Sequence, residues 1–204
     1  MGIDLSSTTD LTATALLFPP RGDEPWRFTV DAWIPEANIK DREERDHVPF
    51  SSWIRDGYVH ATPGECVDFA VLARHIEQTM REYNVLYLCA DRWRIEHLAA
   101  FMSNEVASSK IIEIPQTIEG LSPAMKEIER LMYAGEIEHD HNPCGRWAFG
   151  NVRVAMDGNE NLKPHKGRSI DRIDPIMALI DAMAAAIRLE QKKSVYETRG
   201  LRAL

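Results

Sequence analysis

Gly2-Ile3-Asp4-Leu5-Ser6 opens the chain with an aspartate between two large aliphatic residues, in a pattern typical of a buried strand. Because successive side chains of a strand point to opposite faces, Asp4 and Ser6 share one face, and Ile3 and Leu5 share the other. Burial of a lone carboxylate costs several kcal/mol unless the group is paired or binds a metal ion. Asp4 therefore requires partners, and further carboxylates at the same place would indicate a metal site.

The length and composition indicate one α/β domain. The chain has 204 residues, of which 44% are hydrophobic and 27% are charged. No apolar run reaches about 18 residues, so no transmembrane helix is predicted, and no secretory signal precedes the first strand. Three widely spaced cysteines, an odd number, favour reduced thiols in a cytoplasmic compartment.

The charge of the chain is unevenly distributed. The net charge of −8 argues against a protein that binds nucleic acid by bulk electrostatics alone. From Gly150 onward, however, Lys and Arg outnumber Asp and Glu. We therefore expect any phosphate-binding patch in this last quarter, where the candidate DNA-binding residues are Lys163, Lys166 and Arg168. A solvated basic turn is the alternative interpretation of these three residues.

The predicted strands and helices alternate in the manner of an α/β fold with a mixed sheet. The first three strands form an antiparallel meander at residues 2–6, 12–18 and 27–34. Hydrophobic periodicity then predicts helices at 65–83, 93–106, 122–133 and 170–189, and strands at 85–90, 111–114 and 151–156.

The sequence also predicts where one helix starts and how the whole chain is organised. Ser122 is the expected N-cap of the third helix, with Pro123 at its first helical position, and residues 35–64 are expected to be irregular. The order of elements fits a ribonuclease H-like arrangement, with a mixed central sheet, an antiparallel meander and flanking helices. We expect one such domain over residues 1–190 and a polar tail over residues 191–204.

Two more aspartates can reach the face on which Asp4 lies. Asp91 directly follows the apolar strand at 85–90. On a helical wheel of about 100° per residue, Asp174 and Asp181 lie about 20° apart at the edge of the apolar stripe of the final helix, about 10 Å from each other along the axis. Asp171 lies nearly opposite that stripe and is interpreted as a solvated acid of the first turn. Asp4, Asp91 and Asp174 are therefore the candidate set.

Three close carboxylates repel one another unless cations are present. Mg²⁺ or Mn²⁺ prefers carboxylate oxygens and retains open water positions, and two such ions about 4 Å apart can support phosphodiester hydrolysis. Each residue also has a simpler interpretation, because Asp91 can be a helix N-cap and Asp174 an acid at the edge of the core. Ser6 could hydrogen-bond a ligand or water, and Asp10 could be a turn former or support the site from outside it.

Several short segments together resemble the nuclease domain of the large terminase subunit of tailed double-stranded DNA bacteriophages. They are spread over residues 2–185, and their order and spacing carry the resemblance rather than any single motif. The matching residues are Gly2 to Ser6, Asp10 to Ala13, Gly57-Tyr58, Thr62-Pro63-Gly64, Ala90-Asp91, Leu121 to Glu129, Asn142-Pro143, Arg146-Trp147, Asn151-Val152, Lys163-Pro164, Lys166, and Arg172 to Leu179.

The resemblance implies a metal-dependent endonuclease on a ribonuclease H-like fold, which cuts concatemeric phage DNA at the start and end of packaging in the host cell cytoplasm. It implies Asp4, Asp91 and Asp174 as ligands of two Mg²⁺ or Mn²⁺ ions. Implied partners are double-stranded DNA, an upstream ATPase domain in the full-length protein, the portal and the small terminase subunit, with no membrane. Because the chain lacks a Gly-x-x-x-x-Gly-Lys-Ser/Thr motif, we expect an isolated C-terminal nuclease domain.

Two other functions remain open from the sequence. One is a non-catalytic docking module for the portal or small terminase subunit, which the net charge of −8 favours. The other is a different ribonuclease H-like nuclease, such as a junction resolvase. A zinc site at His139, His141 and Cys144 is disfavoured because the spacing is cramped and a second ligand pair is missing.

Overall fold

A computed structural model describes residues 1–5, 11–37, 39–103, 106, 111–165 and 172–198, without the side chains of Arg94 and of residues 191–198. A seven-stranded mixed sheet forms its centre, with strands in the order β4-β3-β2-β1-β5-β6 and with β7 also paired to β3. These strands are β1 Gly2–Asp4, β2 Thr12–Phe18, β3 Trp26–Pro35, β4 His60–Thr62, β5 Leu88–Ala90, β6 Ile111–Glu113 and β7 Ile137–His139.

Helices cover both faces of this sheet, and a separate hairpin lies outside it. The helices are α1 Ile39–Asp46, α2 Phe50–Arg55, α3 Phe69–Glu82, α4 Arg92–Ala99, α5 Ile118–Ala134, α6 Pro143–Asn151 and α7 Asp174–Thr198. The hairpin pairs β8 Val154–Met156 with β9 Leu162–Pro164. Within the described residues, no helix is both long and apolar enough to span a lipid bilayer.

The predicted antiparallel meander is confirmed. Strand β2 pairs antiparallel with both β1 and β3, whereas β5 and β6 continue the sheet in parallel with β1. Two buried clusters show the two faces of the sheet. Ala13, Ala15 and Cys89 pack against α5 and α7, and Ile3 and Leu16 pack against α3 and α4.

Helix α7 lies directly on β1, with no side chain between the two backbones. A Cβ atom added to Gly2 would lie 1.8 Å from the backbone oxygen of Ala178 and 2.8 Å from the backbone nitrogen of Ala182. Only glycine permits this approach, because any other residue would place a methyl group inside the helix backbone. Gly2 therefore fixes the distance between the first strand and the final helix.

Asn142 joins the start of α6 to the sheet through four hydrogen bonds. Its side-chain oxygen accepts from the backbone N–H groups of Cys144 at 2.9 Å and Gly145 at 3.4 Å. Its side-chain NH₂ group donates to the backbone carbonyls of Val30 at 2.9 Å and Tyr58 at 3.1 Å. The residue is buried, so these groups have little access to water and the loss of any one leaves a partner unsatisfied.

Some predicted elements are wrong in position or role. The predicted helix at 122–133 begins earlier, at Ile118, because the Thr117 hydroxyl accepts from the Gly120 N–H and caps it one turn sooner. Ser122 lies inside that helix, where its hydroxyl accepts from the Leu162 N–H at 3.0 Å, and Pro123 is internal rather than at the first helical position. The closing glycine, Gly135, is confirmed with a φ of 69°.

Other elements escaped prediction. The segment 35–64, expected to be irregular, contains α1, α2 and β4, and the short elements β7 and α6 also lack a predicted counterpart. The predicted strand at 151–156 is shorter and belongs to the hairpin instead of the main sheet. All of these elements are short, so their periodic patterns are difficult to separate from loops.

Substitution of Gly2 by Ala should destabilise the protein strongly. The added methyl group overlaps the backbone of α7, and overpacking of this kind costs at least about 2 kcal/mol. Gly150→Ala is the matched control, because a Cβ there meets nothing within 4 Å and alanine favours the helix. Thermal unfolding would test this: equal melting temperatures for the two variants would contradict the close packing of α7 on β1.

Substitution of Asn142 by Ala should reduce the free energy of unfolding by about 3 kcal/mol, since the helix cap and the donors to two carbonyls are lost together. Thr117→Ala removes a cap alone at an exposed position and should cost about 1 kcal/mol. Urea denaturation of both variants measures the difference. Similar losses would show that the bonds from Asn142 to the sheet contribute nothing.

Candidate functional site

Asp4 ends β1 on the face of the sheet that α7 covers. Gly2 contacts α7, and Asp4, two residues further along the strand, points to the same face. Its side chain is buried, with a relative exposure of 8%. The buried carboxylate inferred from the sequence is therefore present at the carboxyl end of the first strand.

Asp91 directly follows β5, the strand next to β1, and lies opposite Asp4 in the register of the two strands. In the parallel pairing of β1 with β5, Gly2 is opposite Cys89 and Ile3 is opposite Ala90, so Asp4 falls opposite Asp91. Asp91 has extended dihedral angles and lies two residues after Cys89, so it shares the face of Cys89, which packs toward α7. It occupies the N-cap position of α4, but its side chain makes no capping hydrogen bond. The N-cap interpretation therefore accounts for its place in the chain but not for its carboxylate.

Asp174 begins α7 at the same end of the sheet. The later part of α7, including Ala185 and Ala186, lines one cleft with Met1 and Tyr87, at the amino ends of β1 and β5. The start of the helix therefore points to the opposite, carboxyl end. The relative exposure of Asp174 is 8%.

Cys144 supports this placement of Asp174. Its buried thiol packs in one cluster with Leu11, which directly precedes β2 beside the carboxyl end of β1. Burial raises the pKa of the Cys144 thiol to about 12, and the nearby negative charge of Asp174 contributes to the same shift. Asp174 therefore lies near this end of the sheet.

The three predicted ligands thus approach one region from two adjacent strands and a helix. They are more widely spaced than a single compact three-ligand cluster, since they do not form one of the groups with all ligand atoms within 4.8 Å in the described part of the chain. Their role as metal ligands stays a prediction.

The other predicted site residues are only partly covered by the structure. Lys163 lies in β9, where its ammonium donates to the backbone carbonyl of Gln116 at 2.9 Å. Ser6, Asp10, Lys166 and Arg168 lie outside the described residues, so their predicted roles stay predictions, as does the DNA-binding role of Lys163. Asp171 also lies outside the described residues, and Asp181 accepts a hydrogen bond from the Gln116 side chain at 2.9 Å.

The opposite face of the sheet carries a cluster that was not predicted. Asp31 of β3, His60 of β4 and His75 of α3 have ligand atoms that all lie within 4.8 Å of one another. His60 Nε2 lies 3.1 Å from Asp31 Oδ1, and His75 Nε2 lies 3.7 Å from Asp31 Oδ2. Trp33 lies beneath both rings, stacked on His60 and edge-on to His75, each at 5.0 Å between ring centroids.

The electrostatics of this cluster keep the aspartate ionised. Burial alone would raise the pKa of Asp31, but hydrogen bonds and charges from His60 and His75 outweigh burial and hold this pKa well below its usual range. No sequence motif predicts the cluster, because the three residues are far apart along the chain. Only the pairing of Trp33 with His60 in the β3–β4 register and the packing of α3 bring them together.

The disfavoured zinc interpretation of His139, His141 and Cys144 gains no support from the described residues. The two imidazoles are neighbours, with ring centroids 4.7 Å apart, but Cys144 is fully buried at the start of α6.

Comparison with known proteins agrees with the fold. A sequence model described as "Terminase large subunit, endonuclease domain" matches residues 1–190. The large terminase subunit of Enterobacteria phage HK97 is 28% identical over 91% of the chain, and the protein YmfN of Escherichia coli strain K12 is 26% identical over all of it. The chain spans only 36% and 47% of the lengths of these two relatives.

A solved structure extends this agreement to three dimensions. The crystal structure of the HK97 bacteriophage large terminase superposes with a TM-score of 0.83 at 28% identity, over 90% of this chain and 38% of the other. The fold is therefore a ribonuclease H-like mixed α/β fold, the class to which nucleases of several kinds belong. Within that class, the chain belongs to the family of terminase large-subunit endonuclease domains.

The three thiols should differ sharply in reactivity. Cys66 is exposed, whereas Cys89 and Cys144 are buried, and burial raises the pKa values of the two buried thiols to about 11 and about 12. In Ellman's assay at about pH 8, one thiol should react fast and two only after denaturant is added, since thiolates are the reactive form. Two fast thiols in the folded protein would contradict the buried position of Cys89 or of Cys144, and three would contradict both.

The same two thiols should weaken the fold in alkali. Their pKa values in the folded state exceed the value of about 8.5 expected in the unfolded chain. Their contribution to stability is therefore complete below that pH and is lost as the pH rises toward 11 and 12. Cys144→Ala should reduce this alkaline loss, which urea denaturation across the pH range would measure. An alkaline loss of the same size in the variant would contradict the role of this thiol.

Proposed function

We propose that this chain is a metal-dependent endodeoxyribonuclease that hydrolyses phosphodiester bonds of concatemeric double-stranded DNA during phage genome packaging, in the host cell cytoplasm. The observation that carries the proposal is the approach of Asp4, Asp91 and Asp174 to one end of one sheet face, in a family of terminase endonuclease domains.

The donor set fits hard divalent cations. Asp4 and Asp174 are buried and Asp91 is half-buried, and all three offer carboxylate oxygens, the ligands that Mg²⁺ and Mn²⁺ prefer. Buried carboxylates at close range would otherwise repel one another. We therefore assign these three residues as the holders of two ions. Bound there, the ions would supply Lewis-acid activation of the scissile phosphate and of a water nucleophile.

The residues of the chain contribute position and charge. Asp4 and Asp91 directly follow paired residues of a parallel ladder, and Asp174 begins a helix whose backbone packs directly on β1 at Gly2. This packing keeps the carboxylates in one arrangement, as positioning of a phosphate for in-line attack demands. Lys163, Lys166 and Arg168 would hold a scissile or flanking phosphate, and Ser6 and Asp10 would support the carboxylates by hydrogen bonds.

Partners follow from the same proposal. The substrate is duplex DNA, and an ATPase domain upstream, the portal and the small terminase subunit are the proposed protein partners. The net charge of −8 favours one competing function, a docking module without catalysis, because a domain of that charge binds DNA poorly by itself. Catalysis by the isolated chain separates the two functions.

Substitution of any one ligand by Asn should abolish cleavage without unfolding the protein. Loss of even an outer partner of a metal site costs about 10–100-fold, so Asp4→Asn, Asp91→Asn and Asp174→Asn should each reduce Mn²⁺-dependent nicking of supercoiled plasmid by at least about 100-fold. EDTA should stop the wild-type reaction. Melting temperatures and circular dichroism establish that each variant is folded.

Asp181→Asn is the matched control, because Asp181 is a buried carboxylate on the same helix, is not one of the proposed ligands and accepts a hydrogen bond from Gln116. It should retain nicking activity. Full cleavage by a folded Asp4, Asp91 or Asp174 variant would contradict the assignment, and equal loss in Asp181→Asn would show that the effect is not specific to the site. Branched DNA beside linear duplex would reveal a junction resolvase by preferential cleavage of the branch.

A further inference from the structure

A second group of side chains that can bind a metal ion lies on the sheet face that carries α3, away from the aspartates near α7. It consists of Asp31, His60 and His75, defined here as the His-Asp cluster. Asp31 alternates along β3 with Val30 and Ala32, which pack toward the α6 and α7 side, and shares its face with Trp33, which packs against α3. The His-Asp cluster and the nuclease carboxylates are therefore on opposite sides of the sheet.

We propose that the His-Asp cluster is a binding site for a borderline transition-metal ion of the Zn²⁺ class, which ties helix α3 and edge strand β4 to strand β3. This proposal is independent of the nuclease activity. It rests on the donor types, their separations, their access to solvent and the support of the two rings.

The donor types select the ion. Two imidazoles and one carboxylate suit Zn²⁺, Co²⁺, Ni²⁺ or Cu²⁺, whereas Mg²⁺ prefers oxygen ligands throughout. Two His and one carboxylate are also a known ligand set for zinc in proteins. The aspartate set on the other face has oxygen donors alone, so the two sites should prefer different metals.

The separations are short enough for the three side chains to share one ion. Ligand bonds of about 2.0 Å to a tetrahedral centre place neighbouring donor atoms about 3.3 Å apart. His60 Nε2 lies 3.1 Å from Asp31 Oδ1 and His75 Nε2 lies 3.7 Å from Asp31 Oδ2, and one ligand atom from each of the three residues lies within 4.8 Å of the others. Small side-chain rotations would therefore suffice to turn these atoms onto a shared ion.

Solvent can reach the cluster, and its rings are supported from below. The side chains of Asp31, His60 and His75 are 33%, 35% and 34% exposed, so an ion can enter and a water can occupy a remaining coordination position. Trp33 is 1% exposed and contacts both imidazole rings. This contact restricts the rings in the way that outer contacts orient the ligands of established metal sites.

A bound ion would connect β3, β4 and α3 directly. Strand β4 has only three residues and lies at the edge of the sheet, and residues 63–68 separate it from α3. Because the unfolded chain lacks a preformed site, binding to the folded state stabilises it. Hydrogen exchange in α3 and β4 should therefore slow when the metal binds.

Cobalt spectroscopy tests the site directly on the intact, untagged chain at about pH 8, where imidazole binds metal as the neutral base. Wild-type protein should bind one equivalent of Co²⁺ with the intense visible absorption of a tetrahedral site, and Zn²⁺ should displace it. His60→Gln, His75→Gln and Asp31→Asn should each weaken binding at least about 10-fold. His97→Gln, at an exposed histidine of α4 outside the cluster, should bind as the wild type does.

Two further measurements separate this site from the nuclease site. Asp4→Asn and Asp174→Asn should retain the Co²⁺ spectrum, and His75→Gln should retain Mn²⁺-dependent plasmid nicking while losing the rise in melting temperature that Zn²⁺ gives the wild type. Absence of Co²⁺ absorption and of a Zn²⁺-dependent rise in the wild type would overturn the proposal, leaving a hydrogen-bonded cluster alone. So would an unchanged spectrum in folded His60→Gln and His75→Gln.

Discussion

The contact between two backbones, that of β1 at Gly2 and that of α7 at Ala178, is the constraint on which the remaining structure depends. It brings the final helix to the first strand although these elements lie at opposite ends of the sequence. Helix α7 also packs against β2, β3 and β5, so one helix organises most of one sheet face. The position of Asp174 relative to Asp4 is therefore set by backbone sterics, before any interaction between the carboxylates themselves.

The sequence predicted the elements whose side-chain patterns are long or unusual. The meander and the final helix have clear periodicity, and Asp4 is conspicuous because it interrupts an apolar strand. The helical wheel also placed Asp174 at the edge of the core, and Asp174 is buried. What escaped prediction is either short, such as α2 and β4, or shifted by a local competitor, such as the Thr117 hydroxyl that caps α5 ahead of Ser122.

The two groups of candidate ligands show why sites differ in how far sequence can predict them. Asp4 ends a strand, Asp91 follows a strand and Asp174 begins a helix, so the order of the elements alone predicts that they lie at one end of the sheet. The His-Asp cluster depends instead on the register of β4 against β3 and on the rotation of α3. The register of β4 could not be derived from residues 35–64, where no strand was predicted, and the rotation of α3 depends on its packing in the cluster that contains Trp33. The sheet thus separates oxygen-only donors on one face from mixed nitrogen and oxygen donors on the other.

The side chains of Asp140 and Asn142 protect an unpaired part of strand β3 from pairing with a strand of another molecule. Strand β3 pairs with β7 at Trp26–Phe28 and with β4 at Trp33–Pro35, which leaves the backbone between these short neighbours without a strand on that side. There the Val30 N–H donates to Asp140 at 3.1 Å, and the Val30 carbonyl accepts from Asn142 at 2.9 Å. Two side chains thus take the place of a neighbouring strand at Val30. Both backbone groups of Val30 are already hydrogen-bonded, so a strand from another molecule cannot pair there and begin aggregation.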